Sequence, residues 1–107
     1  MSNLSLDPAP VFAALGDRTR LSLLMKLSDG QMQSIARLSG DTKLTRQAVT
    51  KHLHVLEKAG LVSSIKVGRE SQFSYKSEPI EEARSFLDTI SAQWDDALSR
   101  LRSFVER

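Results

Sequence analysis

Leu44-Thr-Arg-Gln-Ala-Val-Thr-Lys-His-Leu53 is the stretch on which the fold turns. Thr45 has the chemistry of a helix N-cap, and the residues after it read as a helix. At about 100° per residue, one side carries the apolar Val49, Leu53 and Leu56. The other carries Arg46, Gln47, Thr50, Lys51 and His54, all hydrogen-bond donors, with no carboxylate before Glu57. A face of donors suits an anion lined with acceptors, which describes the major groove of double-stranded DNA. Ala48 keeps the first turn slim for a neighbouring helix. The competing reading is an ordinary solvated helix face, and the rest of the chain weighs against it.

Working outward, Gly40-Asp-Thr-Lys43 is a polar turn, and before it Ser34 to Ser39 forms a short helix with Ile35, Ala36 and Leu38 on its apolar side. Two helices joined by a tight turn, the second with a polar outer face, make a helix-turn-helix. Farther back, a first helix is expected from Pro8 to Leu15, with Asp7 as N-cap and Gly16 closing it. A second runs from Arg18 to Leu27 behind the cap Asp17, and Leu21, Leu24, Met25 and Leu27 or Ser28 are its expected inner positions.

After Gly60 the pattern changes. Leu61 to Val67 is rich in β-formers, Gly68-Arg69 is a turn, and Glu70 to Lys76 alternates Ser71, Phe73 and Tyr75 with polar neighbours. A two-residue loop would set Ser64 opposite Phe73. A three-residue loop, Gly68 to Glu70, would set Ile65 there and gives the better apolar match, with both registers, one residue apart, left open. A hairpin directly after such a helix is a wing, with Arg69 at its tip. From Pro79 one helix continues to about Val105, roughly 39 Å at 1.5 Å per residue. Its stripe includes Ile80, Ala83, Leu87, Ile90, Trp94, Leu98, Leu101 and Val105, with Phe86, Ala97 and Phe104 beside them. A body of this size cannot bury the whole stripe, so the surplus is expected to meet a second copy of the chain.

The expected fold is therefore mainly α (α+β): a single winged helix-turn-helix domain over 1–107. Residues 8–28 form the first helices, 33–60 the helix-turn-helix, 61–77 a two-stranded wing and 79–106 a long dimerisation helix. Composition fits. The 107 residues suit one domain, and 40% are hydrophobic, enough for a modest core to which dimerisation would add. Charge is segregated. Asp41 to Lys76 holds seven bases against three acids, whereas Ser77 to Arg107 holds four arginines against seven acids, so a polyanion is drawn to the middle of the chain. Met1-Ser-Asn-Leu-Ser-Leu-Asp-Pro8 has neither a basic start nor a long apolar run, which reads as no signal peptide, no membrane anchor and a cytoplasmic location.

Other chemistries fit poorly. There is no cysteine, hence no disulfide, thiolate site or cysteine nucleophile. His52 and His54 are two apart, about 200° round a helix, so they cannot share a metal ion; His54 reads as a phosphate or base contact and His52 as a packing residue at the groove edge. Thr50 and His54 lack an orienting carboxylate and an oxyanion hole, so no enzyme and no cofactor are expected. Glu81-Glu82 and Asp95-Asp96 diverge on a solvated face. Asp17 and Arg20 read as groups that cap and pair helix ends. Trp94, Phe86 and Phe104 suit dimer packing better than a ligand pocket. A winged helix that binds only another protein is the alternative function, and salt-sensitive retardation of random duplex separates the two.

With these residues in place, the chain resembles the ArsR-type (ArsR/SmtB) winged-helix transcriptional regulators. Phe12-Ala-Ala-Leu-Gly-Asp-Arg-Thr-Arg20 is similar to that family's opening signature, and Gln47-Ala-Val-Thr-Lys-His-Leu53 to its recognition helix. Val55-Leu-Glu-Lys-Ala-Gly-Leu-Val62 and Gly68-Arg69 resemble its helix exit and wing tip, so the likeness runs from about residue 8 to 105. It implies a homodimeric repressor that pairs through its first and last helices and leaves its operator when an inducer or metal arrives. The turn before Thr45 is longer than in most members. The metal-sensing ligands are also absent: Gln31 to Ala36 offers only the Met32 thioether, and no histidine follows His54. The expected DNA contacts are Thr45, Arg46, Gln47, Thr50, Lys51, His54 and Arg69, with no metal. The expected dimer contacts are Phe12, Leu15, Leu87, Ile90, Trp94, Leu98 and Leu101. An inducer, whether small molecule or protein, stays unspecified.

Overall fold

A computed structural model describes residues 7–40 and 42–106; the expectations for Met1 to Leu6, and for Asp41 in the turn, lie outside the described residues. The elements are α1 (Ala9–Leu15), α2 (Arg18–Leu27), β1 (Gln33–Ser34), α3 (Ile35–Ser39), α4 (Arg46–Lys58), β2 (Val62–Val67), β3 (Glu70–Tyr75) and α5 (Glu78–Glu106). This is a winged helix-turn-helix, with five helices among the described residues.

Side-chain caps set most helix starts. Asp17 accepts from the Arg20 N–H at 3.0 Å, Ser34 from Arg37 at 3.2 Å and Thr45 from Ala48 at 3.1 Å. Each satisfies an N–H that the helix itself leaves unbonded. At α1 the expectation is one residue off: Pro8 holds the cap position, and Asp7 reaches past it to accept from Ala9 at 3.1 Å. The end of α4 is a Schellman turn. Gly60, at φ +80°, donates to Glu57 O and Leu61 to Leu56 O, both at 2.9 Å, which points the fully buried Leu61 back into the core.

That core gathers Val49, Leu53 and Leu56 of α4 with Leu23 and Leu27 of α2, Leu38 of α3, Leu61 and Phe73. The inner face of α2 departs from expectation. Leu23, Leu24 and Leu27 are buried, whereas Leu21 is half-exposed and Met25 is 73% exposed. The sets 21/24/25 and 23/24/27 fit helical spacing equally well, and only the position of α4 and β3 against α2 chooses between them.

The wing settles the open register and adds a strand. Its turn has two residues, Gly68-Arg69, so Ser64 and not Ile65 pairs with Phe73. Gly68 takes φ +64° at the first turn position, as two-residue hairpin turns matched to strand twist require, and this overrides the apolar match. Phe73 then points inward and Ile65 outward. The sheet also has three strands rather than two, in the order β1-β3-β2, with Gln33 opposite Phe73 and Ser34 opposite Gln72. Two residues are too few to show a periodic signal in sequence.

Only the start of α5 rests on the body: Ala83 is buried, Ile80 packs against the core, and the Phe86 ring lies 6.1 Å from that of Phe12. Beyond it Leu87, Ile90, Trp94, Leu98 and Leu101 are exposed, Trp94 to 63%. The helix runs clear of the body and stretches the molecule to 69 × 35 × 21 Å. No helix is long and apolar enough to cross a membrane among the described residues.

Candidate nucleic-acid interface

With Val49, Leu53 and Leu56 held inside, α4 turns a polar side to solvent, and Arg46, Gln47, Lys51 and His54 are exposed there. Thr45, Arg46, Gln47, Thr50, Lys51 and His54 border one open concavity along the helix. Arg46 and Thr50 also border a second cleft of about 280 Å³, shared with Ser34, Arg69, Glu70 and Ser71. The wing tip and the first turn of α4 are thus brought together, which sequence spacing alone does not reveal.

Two hydroxyls on this face have local bonds. Thr50 Oγ1 donates to the Arg46 carbonyl at 2.7 Å, so Thr50 offers a partner its lone pairs and methyl group and not the donor that sequence suggests. Thr45 Oγ1 accepts the capping bond and keeps its own hydrogen. Glu57, the nearest acid on the helix, is held by Ser64 Oγ, which donates to its Oε2 at 2.8 Å. Ser64, Ser71 and Ser34 are contributors that sequence reading missed. Ser34 reads there as the first residue of a short helix, and Ser64 and Ser71 as strand positions.

The opposite flank of α4 carries His52, which points away from His54 and toward the α1–α2 junction. Its Nδ1 lies 3.8 Å from Asp17 Oδ2 and 3.4 Å from Arg20 Nη1. Arg20 in turn donates from Nε to Ala14 O at 2.6 Å and from Nη2 to Ala13 O at 3.3 Å, closing the end of α1. The Arg20 backbone N–H holds the Asp17 carboxyl below the usual aspartate range, with His52 and the Arg20 guanidinium adding to the effect. Asp17 and Arg20 therefore cap and join helix ends. His52 belongs to that joint rather than to the groove edge.

The model for bacterial regulatory proteins of the arsR family matches residues 17–64, from the cap of α2 to the middle of β2. The HTH-type transcriptional regulator YuzN of Bacillus subtilis is 39% identical over 77 residues, which are 66% of this chain and 84% of the relative. The chain belongs to the ArsR family. An ArsR-like transcriptional regulator from Rhodococcus sp. RHA1 superposes with a TM-score of 0.79 at 36% identity, over 96% of this chain and 94% of that one. HlyU from Vibrio cholerae shares the fold at a TM-score of 0.66 and 24% identity, over 84% and 97% of the two chains. This ArsR-family chain is accordingly a DNA-binding transcriptional regulator.

Proposed function

We propose that the protein is a homodimeric repressor that binds an inverted-repeat operator in double-stranded DNA and does not respond to metal. The donor row on α4 carries the reading: Gln47, Lys51 and His54 stand opposite the buried Val49, Leu53 and Leu56 and enter the major groove. Thr45, Arg46 and Thr50 flank them, and Arg69 reaches the backbone from the wing. The exposed stripe Leu87, Ile90, Trp94, Leu98 and Leu101, continued by the half-buried Phe12 and Leu15, supports pairing with a second copy. Apolar area of this extent on one helix is unusual on a monomer. The stripe lies on the acidic tail, away from the basic middle of the chain, so pairing leaves both reading faces free. Residues 1–107 act as one unit in this reading.

Binding-site selection with the purified protein tests it. Recovery of an inverted repeat with half-sites centred about 34 Å apart, or a multiple of that, is the expected result. Failure to retard any duplex at low salt would refute it.

A further inference from the structure

The structure separates two rows on the outer side of α4. Gln47, Lys51 and His54 stand directly opposite the buried seam. Arg46 and Thr50 lie about a quarter-turn round, on the shoulder that faces the wing. On that shoulder Arg46 lines one cleft together with Arg69, Ser34 and Ser71; the single acid among the lining residues is Glu70. Among the described residues neither guanidinium is held by a carboxylate. Glu57, on the same shoulder lower down, is occupied by Ser64. Ser34 uses its lone pair to cap α3, so its hydroxyl hydrogen stays available.

We infer that this cleft clamps one backbone phosphate of the operator, with Arg46 and Arg69 as its two arms and the Ser34 and Ser71 hydroxyls as additional donors. Two unpaired guanidiniums around one opening repel each other until an anion lies between them. A guanidinium fork matches two oxygens of a phosphodiester, and hydroxyl donors complete the set. The inference rests on the DNA-binding reading and sharpens it: Arg46 positions the protein on the duplex and does not read a base. Base discrimination then belongs to Gln47 and His54. The clamp spans α4 and the wing, so it fixes how deeply the helix enters the groove. Glu70 weakens the clamp by partly offsetting its charge.

The test uses the full chain, a selected operator and an unrelated duplex of equal length. Arg46→Ala and Arg69→Ala are each expected to weaken both duplexes by the same factor, on the order of tenfold. Each should lower the slope of log affinity against log salt by about 1. Glu70→Gln is expected to tighten both duplexes. One neutral methylphosphonate linkage, moved along the operator, should weaken wild type at a single position per half-site and leave the Arg46→Ala/Arg69→Ala double variant unaffected there. Inorganic phosphate at low millimolar concentration and constant ionic strength should leave operator affinity unchanged, and strong competition would assign the cleft to a free anion instead. A changed base preference in Arg46→Ala would overturn the clamp while leaving the DNA-binding reading intact. A wild-type protein that retards no duplex would overturn both. All the substituted side chains are exposed, and unchanged thermal unfolding confirms that a variant is folded.

Discussion

Ser64 of β2 donates a 2.8 Å hydrogen bond to Glu57 Oε2 of α4, fastening the wing to the helix that precedes it. Both residues are half-buried, and the bond joins a hydroxyl to a carboxylate. Ser64→Ala should cost about 1–2 kcal/mol in urea unfolding, because the carboxylate is left without its partner. It should also weaken DNA binding, though neither residue belongs to the donor row, since a released Glu57 turns negative charge toward the phosphates. Unchanged retardation of duplex by Ser64→Ala would show that the bond serves stability alone.

Gln47→Ala should relax preference at one position of each half-site by ~1–3 kcal/mol, because a glutamine amide accepts from N6 and donates to N7 of an adenine at once. Lys51→Ala should weaken all sequences alike and flatten the salt dependence. Competition binding against single-base operator variants separates these outcomes. If Gln47→Ala leaves the preferred site unchanged, α4 does not read through this residue.

Trp94→Ala, or truncation after Ser85, should convert a dimer to a monomer or an unfolded chain. Trp94 is 63% exposed in one chain, so it contributes little to folding unless a partner covers it. Once covered in a core-like setting, its removal costs ~3–5 kcal/mol. Sedimentation of wild type at tens of micromolar should show the dimer, and operator affinity of the variants should fall by orders of magnitude. A monomeric wild type would refute the pairing. The two exposed ion pairs on this helix, Arg84–Glu81 at 3.7 Å and Arg102–Glu106 at 3.5 Å, should be expendable.

Acid should act partly through Asp17. Its folded-state pKa is depressed, chiefly by the Arg20 backbone N–H. Its contribution to stability is thus present above the ordinary aspartate pKa and is lost as pH falls through the lower folded value. Asn at this position still caps α2 but does not titrate. Wild type should be more stable than Asp17→Asn at neutral pH, and the difference should shrink steadily below about pH 4. Urea midpoints measured across that range check the sign.

Zinc, cadmium or arsenite at low micromolar levels should leave operator affinity unaltered, because the chain offers no thiolate and its two histidines face apart. A metal that titrates stoichiometrically with loss of binding would refute this.

Much of this architecture is legible in the sequence because local chemistry and tertiary packing agree. Asp17 and Thr45 are caps by residue type and remain so in the fold. The α4 seam of Val49, Leu53 and Leu56 is the one helical pattern its sequence allows. Legibility fails where the decision is made at a distance. Leu21 and Leu23 are equivalent in spacing, and a neighbour selects the second. Phe73 would match Ile65, but the backbone of Gly68 fixes a shorter turn. Ser34 and Ser71 meet Arg46 and Arg69 only through the sheet, so the cleft has no continuous sequence signature.

β1 consists of two residues, yet it changes what kind of object the wing is. Because Gln33 and Ser34 pair with β3, the central strand is bordered by chain segments about thirty residues apart. The hairpin is therefore not an interchangeable module. A chimera that imports residues 61–77 from another regulator would keep the tip but must also seat its central strand against the backbone of Gln33 and Ser34 and supply a partner for Glu57. Such a constraint makes the wing and the helix-turn-helix inherit changes together, as one mosaic piece.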